Sequence, residues 1–519
     1  MHGSWSASSR RRGYSAGSPR PEPQGFTSSA DAAISLDEPR ADREIDVERR
    51  DEGACIARTR ADGPMTKFWS VAEQFDRPAL KRLQERQLRA LLIYLERTSA
   101  FHRERFAACG LRPIDFRGLA DLRRLPFTSK ADLEADTTTE APPPFYRSFF
   151  VDRPDRVLRW HRTSGTTGTP VRVADTGWDW HAYSDVSAEA LYAMGVRRED
   201  TVVIPFGYGP FIAFWIYISA LEQIGAAFVA SGSLDAAARR ALLREFRATV
   251  LVSTPSYALH LAEVAAGAGF DLASASSVRL VITTGEPLTT EAKRRLTSVW
   301  GAETFDRIGS AETGGIAYEC PDAAGAYHVQ ENHLVAEVVD PMTGAPVGPG
   351  EEGELVVTPL YRRGMPLVRF RTGNIVRLAA GGRCQCGREL LSLAVTENGV
   401  VLRRADMLVK VRGVLLDPAA VERAVRGVPE CGEGFQLTID RVGQLDEVTV
   451  TAETRLRLDD ARRAEVARRL EESLRRALSL RVNVRVVELG ALALDGNKMK
   501  RVLDRRREEQ DDAVRTSRG

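Results

Sequence analysis

Across residues 157–377 short apolar runs alternate with segments of helical periodicity, and few folds are open to a chain built that way. The runs at 202–205, 227–230, 250–253 and 280–283 are dominated by aliphatic residues and read as buried strands. Helices are expected between them, at about 213–224, 235–247, 256–268 and 289–299. Strands separated by crossover helices return in the same direction, so the pattern predicts an α/β fold with mostly parallel sheets. Upstream, Leu80, Leu83, Leu88, Leu91, Leu92 and Leu95 recur at helical spacing and predict one amphipathic helix over 80–105. Residues 334–339 and 353–358 predict antiparallel strands joined by a Pro/Gly-rich hairpin.

After Arg403 the texture changes. Residues 435–440 and 447–451 predict a strand pair, 459–478 a charged amphipathic helix, and 481–488 a further strand. This small α+β unit is expected to be a mobile C-terminal lid domain. Residues 1–64 are rich in Ser, Arg, Asp, Glu and Pro and lack apolar periodicity, which predicts a disordered leader. No hydrophobic segment follows the basic run at 10–12, so the leader does not read as a secretory signal, and Met65 is an alternative start of translation. The expected organisation is a leader over 1–64, a large domain over 65–403, the lid over 404–505 and a charged tail over 506–519.

Composition narrows the function classes. A formal net charge of +2 gives no electrostatic case for nucleic acid. The longest apolar stretches, such as 211–220, are too short and interrupted to cross a bilayer, so no membrane partner is expected. The 6 cysteines are irregularly spread and make no disulfide framework, which points to a reducing cytoplasm.

Several segments carry chemistry. Thr163-Ser164-Gly165-Thr166-Thr167-Gly168-Thr169-Pro170 lies between apolar runs and reads as a loop whose N–H groups and hydroxyls can cradle phosphate oxygens. It lacks the Gly-Lys-Ser/Thr ending of a Walker loop, and a hydroxyl-rich surface turn is the alternative. Thr284-Gly285-Glu286-Pro287-Leu288 ends a predicted strand, where open parallel sheets bind ligands; by itself it is a strand-ending turn. Gly309-Ser310-Ala311-Glu312-Thr313-Gly314-Gly315 sets a carboxylate among glycines, which suits Mg²⁺ beside phosphates as well as it suits a solvated loop. Arg369-Phe370-Arg371-Thr372-Gly373-Asn374 precedes the apolar pair Ile375-Val376. In Asp495-Gly496-Asn497-Lys498-Met499-Lys500-Arg501 a lysine on a glycine-containing loop can enter a cleft as a mobile point charge, or sit in a solvated basic tail.

Taken together and in this order, these segments resemble the adenylate-forming superfamily of acyl-CoA synthetases, and its phenylacetate–CoA ligase branch in particular, from about Met65 to Arg505. The resemblance extends to Leu95-Glu96-Arg97-Thr98-Ser99-Ala100-Phe101-His102, to Leu125-Pro126-Phe127-Thr128-Ser129-Lys130-Ala131-Asp132-Leu133, to Phe206-Gly207-Tyr208-Gly209, and to a hinge-like segment, Arg404-Ala405-Asp406-Met407-Leu408-Val409-Lys410-Val411-Arg412-Gly413. It implies an AMP-forming acid–thiol ligase. ATP and Mg²⁺ would activate a carboxylic acid as its adenylate with loss of pyrophosphate, and coenzyme A would take the acyl group.

By the same resemblance Thr163, Ser164, Gly165, Thr166, Thr167 and Gly168 would grip the β- and γ-phosphates of ATP. Glu286 and Pro287 would border adenine, Glu312 would hold Mg²⁺, and Arg404 would contact the nucleotide. Asn374 stands where the family usually has a ribose-binding aspartate, and Asp406 lies at the hinge. Lys498 would bridge the substrate carboxylate and the α-phosphate, and rotation of the lid would withdraw it before thiol attack. Ile308 replaces a tyrosine that stacks on adenine in relatives, so it and Asn374 loosen the adenosine end of the site.

Arg383-Cys384-Gln385-Cys386-Gly387-Arg388 is a turn in which two thiolates can face one zinc, two ordinary buried cysteines being the alternative. Some members of the branch pair such a knuckle with a Cys and a His just after the Mg²⁺-binding motif, where Cys320 and His328 stand here. The resemblance thus implies a structural Cys₃His zinc, with His333 as the alternative imidazole. It also implies that Phe206, Tyr208, Phe211, Phe214 and Trp215 line the acyl pocket, although core packing would use the same residues. Such a pocket predicts an aromatic acid. Transfer to a carrier-protein thiol or an amine, and a non-catalytic relative, are the competing functions. A homodimer is compatible with the sequence.

Overall fold

The computed structural model describes residues 67–506 except 138–145, 147–148, 152–153, 164–170, 206, 208, 324, 406–408, 412–413, 417, 443–444, 479, 481, 493, 496–497 and 500. The expected leader, and the expected tail beyond 506, lie outside the described residues.

The chain enters α1 (Arg77–Thr98) at Asp76, whose side chain accepts from the Ala79 N–H. The single helix expected over 80–105 is two. Ser99 closes α1 by donating its N–H to Leu95 O, and its hydroxyl accepts from His102 N to start α2 (Ala100–Ala108). A serine that can cap in both directions competes with helix continuation, which leucine spacing does not reveal. Leu88, Leu92 and Leu95 then pack with Phe106, Leu122 and Val335.

Strands β1 (Val157–Arg162) and β2 (Arg172–Thr176) pair antiparallel, with Arg162 opposite Arg172. Thr176 caps α3 (Gly177–Ala193) in a reciprocal box with Asp179. The alternating region follows as β3 (Thr201–Ile204), α4 (Ile212–Ile224), β4 (Ala227–Ala230), α5 (Ala236–Glu245), β5 (Val250–Ser253), α6 (Pro255–Gly267), β6 (Leu280–Thr283), α7 (Thr290–Trp300) and β7 (Glu303–Ser310). These strands pair in parallel in the order β4-β3-β5-β6-β7, and β5 and β6 are buried throughout. Side chains of Asp235, Thr254 and Thr289 cap α5, α6 and α7.

The same 12-stranded sheet continues through β8 (Gly314–Glu319), β9 (Ala326–Val329), β10 (Leu334–Val339), β11 (Glu352–Pro359), β12 (Phe370–Leu378), β13 (Ser392–Ala394) and β14 (Arg403–Arg404). Here every pairing is antiparallel. The parallel arrangement therefore holds where helices make the crossovers, and the strands reverse once turns and loops replace those helices. The sheet is mixed as a whole.

Beyond β14 a second unit has its own core, built on Val421, Val425, Leu437, Ile439, Val450, Leu470 and Leu474. It comprises α8 (Pro418–Arg426), β15 (Cys431–Val442), β16 (Leu445–Thr454), α9 (Asp460–Ala477), β17 (Asn483–Val487) and β18 (Val502–Asp504), with sheet order β17-β16-β15-β18. Among the described residues no helix is long and apolar enough to cross a membrane.

Candidate active site and metal centre

The glycine-flanked segment around Glu312 is the turn of the β7–β8 hairpin. Thr313 N donates to Ser310 Oγ at 3.1 Å. Gly314 has φ +81°, and a Cβ there would fall 1.9 Å from the Tyr361 hydroxyl, so only glycine fits. That hydroxyl donates to Thr313 O at 3.0 Å, and Tyr183 donates to Ser310 O at 3.4 Å. Arg362 Nη1 donates to Ala311 O at 3.3 Å while its Nη2 pairs with buried Asp175 on β2 at 2.6 Å. Burial, opposed by Arg362, raises the Asp175 carboxyl to about 6. Three side chains from outside the hairpin thus hold the turn that carries Glu312.

Thr163 and Val171, at the two ends of the expected phosphate loop, pair with each other. Thr163 N donates to Val171 O at 2.9 Å, and Val171 N donates to Thr163 Oγ1 at 3.0 Å, which closes the loop at its base. Residues 164–170, among them Ser164, Gly165, Thr166, Thr167 and Gly168, lie outside the described residues. Glu312 and Val171 line one small cavity with Phe149, Arg362 and Met365.

Glu286 follows β6, as the strand-end reading expects, and its carboxylate accepts from Ser256 N at 3.2 Å in the first turn of α6. Pro287 beside it is exposed. Ile308 is half-buried against the antiparallel half of the sheet. Asn374 on β12 faces Arg404 on β14, and Arg404 Nη1 donates to Asn374 Oδ1 at 3.0 Å. The backbone of Lys498 pairs with Asp495 in a two-stranded ribbon, and its side chain, like Asp406, lies outside the described residues.

Of the aromatic segment, Phe206 and Tyr208 also lie outside the described residues. Phe211, at the start of α4, is exposed. Phe214 is 1% exposed and packs in the core of the parallel half, so its side chain serves packing. Trp215 is half-buried and donates from Nε1 to Gly209 O at 3.1 Å.

Cys320, His328, Cys384 and Cys386 converge from three parts of the antiparallel half, with their ligand atoms all within 4.8 Å of one another. Cys320 Sγ lies 3.8 Å from Cys384 Sγ, and Cys386 Sγ lies 3.3 Å from His328 Nε2. On its other side the imidazole meets Ser392 Oγ from Nδ1 at 3.2 Å, which turns Nε2 toward the thiols. The hydrogen bond from the Cys320 thiol, against burial and with help from His328, holds the Cys386 thiol far below its ordinary value. His333, the alternative imidazole, is instead bonded to Glu189 Oε2 at 3.0 Å.

The chain matches the model of the AMP-binding enzyme over residues 114–359 and that of the AMP-binding enzyme C-terminal domain over 413–506. It is 30% identical to the phenylacetate–coenzyme A ligase of Pseudomonas putida over 433 residues, 82% of this chain and 94% of that one. The chain belongs to the adenylate-forming ligases, in the phenylacetate–coenzyme A ligase branch. The ligase of that name from Thermus thermophilus is 32% identical over 383 residues, covering 73% of this chain and 83% of its own. In fold the chain is similar to 2-hydroxyisobutyryl-CoA ligase in its postadenylation state, with a TM-score of 0.74 and 22% identity over 88% of this chain and 96% of that one. It is thus an ATP-dependent, AMP-forming acid–CoA ligase.

In this ligase a buried ionic network stands behind the Cys/His cluster, with no motif to mark it. Arg388, two residues after Cys386, donates from Nε to Glu73 Oε2 at 2.9 Å. Glu189 accepts from Asn332 Nδ2 at 2.6 Å as well as pairing with His333. Burial opposes a charge on His333, but the Glu189 carboxylate overcomes it and raises the imidazole. Burial and the charge of Glu189 together raise Glu73 to about 7. Sequence carries no local sign of these pairs, because the Arg388–Glu73 bond spans 315 residues.

Proposed function

We propose that this ligase activates an aromatic carboxylic acid with ATP and delivers the acyl group to coenzyme A, in a reducing cytoplasm. The observation that carries the reading is that Val171, the residue after the Thr163–Pro170 loop, comes close to Glu312 on the turn of the β7–β8 hairpin. A Mg²⁺ ion on Glu312 would then lie beside the phosphates that the loop grips. Charge builds around the α-phosphorus as pyrophosphate leaves, and a held cation together with Lys498 stabilises it while the carboxylate attacks. Glu286 and Pro287 border the base, and Asn374 with Arg404 contacts the ribose end. Phe206, Tyr208, Phe211 and Trp215 supply the aromatic wall of the acyl site.

The unit beyond Arg403 acts as a lid that carries Lys498 in for adenylation and out before the thiol arrives. Cys320, His328, Cys384 and Cys386 would hold a structural Zn²⁺, for which three thiols and an imidazole are a suitable tetrahedral donor set. It would pin the turn after β8 to the 384–388 turn and take no part in a bond-making step.

The test is a panel of aryl acids assayed for ATP-dependent pyrophosphate release with and without coenzyme A. Release with an aryl acid, followed by a CoA thioester, is expected. Lys498→Ala should nearly abolish it; an unchanged rate would move the role to Lys500. Release that needs no aryl acid, or none from the wild type with any acid, would end the proposal.

A further inference from the structure

Arg307 lies on β7, one residue before Ile308, and is 3% exposed. Its guanidinium stands 5.3 Å from the centre of the Tyr217 ring on α4. A Cβ on Gly315 would come within 2.6 Å of its Nη2 and 3.0 Å of Gln330 Oε1, so the missing side chain at Gly315 makes room for the guanidinium. Among the described residues no carboxylate pairs with Arg307 and no acceptor receives a hydrogen bond from its side chain; Nη1 is fully buried and unsatisfied. The other deeply buried arginines differ. Arg362 holds Asp175, Arg369 holds Glu337, Arg388 holds Glu73, and Arg239 reaches Gly232 O and the Tyr257 hydroxyl.

A guanidinium cannot shed its proton at physiological pH, and one buried without a counter-charge strongly opposes folding. Its location says where a partner would come from. Tyr217 belongs to the helix that follows the aromatic 206–211 segment, and Gly315 is the second residue of the strand that follows the Glu312 turn. Arg307 therefore lies against α4, which follows the 206–211 segment in sequence, and against β8, which follows the turn that carries Glu312.

We propose that Arg307 receives a second anionic group of the acid, so that the substrate is a dicarboxylic acid with one carboxylate adenylated and the other paired to the guanidinium. The inference rests on the reading of the 206–215 segment as the wall of the acyl site. A planar fork suits a carboxylate in bidentate fashion, and the face of Tyr217 adds a cation–π contact. A monocarboxylic acid would leave the charge unpaired in a closed site, and a site built around a polar partner rejects analogues that lack it.

Wild type, Arg307→Met and Arg307→Lys are compared on phenylacetate, its 2-, 3- and 4-carboxy derivatives, and linear aliphatic dicarboxylates. Pyrophosphate release gives kcat/KM, and thermal melting with each acid gives binding independently of turnover. The wild type should prefer a dicarboxylic acid over phenylacetate by roughly a hundredfold. Arg307→Met should lose that preference at least tenfold and melt at or above the wild-type temperature, because an unpaired buried charge is gone; Arg307→Lys should keep part of it. Dicarboxylic acids should raise the melting temperature of the wild type and not of Arg307→Met.

Preference of the wild type for phenylacetate, or an unchanged ratio in an Arg307→Met that melts lower, overturns the proposal and makes Arg307 structural. If Arg307→Met does not fold, the substrate preference of the wild type and of Arg307→Lys still decides. Turnover of phenylacetate alone sinks only the role of Arg307. A preference for an aliphatic dicarboxylate upholds that role and sinks the aromatic reading instead.

Discussion

Arg404 donates from Nη1 to Asn374 Oδ1 at 3.0 Å, across the register that sets β14 opposite β12. Two residues assigned to the nucleotide by resemblance are therefore partners of each other, and Arg404 opens the hinge-like segment. The acceptor is a neutral amide at the place where the resemblance implies a carboxylate. Asn374→Asp should restore a charge-assisted bond, worth about 1 kcal/mol beyond the neutral one. We expect KM for ATP to fall roughly fivefold with kcat little changed. Initial rates over a range of ATP concentrations read this directly, and an unchanged or higher KM would take Asn374 away from the ribose.

Gly314→Ala places a methyl group against the Tyr361 hydroxyl at a backbone angle, φ +81°, that alanine resists. A loss of about 2 kcal/mol in stability is expected, with adenylation reduced at least tenfold as the Glu312 turn shifts. Tyr361→Phe removes only the bond to Thr313 O and should lose about 1 kcal/mol. Denaturant melts with parallel rate measurements separate the two. Equal behaviour of both variants would show that the turn is not held in this way.

Purified protein should contain one zinc per chain by elemental analysis. Cys386→Ser removes the thiol that meets His328 Nε2 and should lose the metal and lower the melting temperature. His333→Ala should keep the metal, since that ring is bonded to Glu189. Unchanged zinc in Cys386→Ser, or its loss in His333→Ala, would contradict the ligand set.

Asp306 is buried and accepts from Thr283 Oγ1 at 2.7 Å and Tyr327 Oη at 2.9 Å. Burial raises its carboxyl from 3.8 to about 7. Because the folded value is the higher one, the protonated group favours the fold below pH 3.8, and that stability is lost as the pH rises toward about 7. Asp306→Asn cannot ionise, so the stability of the wild type relative to this variant should fall between about pH 4 and 7 and level off above. Urea melts at several pH values check the slope. A flat difference would mean that Asp306 ionises as freely in the fold as outside it.

Much of the parallel half was legible in the chain, and so was the order of the motifs. The run at 250–253 is aliphatic up to Ser253 and became a central strand buried on both faces, and the helices between the strands appear within a residue or two of the spacing that predicts them. The break at Ser99 was not legible, because leucines continue on the same face while a hydroxyl decides where the backbone turns. Of the antiparallel half, the hairpin of β10 and β11 was legible, while the pairings of β13 with β9 and of β14 with β12 were not, because they join strands that are not neighbours in sequence.

The sequence by itself determined element type and motif identity, since side-chain periodicity and local capping act over a few residues. Only the tertiary structure chose between equivalent residues. His328 meets the thiols because Ser392 turns its ring, while His333 is claimed by Glu189, which lies 144 residues away in the chain. Phe214 went to the core and Phe211 to the surface, though both belong to one aromatic segment. Arg307 reads in sequence as an ordinary charged residue of a strand; packing of α3, α4 and β8 around it is what buries its charge without a partner. Burial and pairing are properties of long-range packing, and local sequence carries neither.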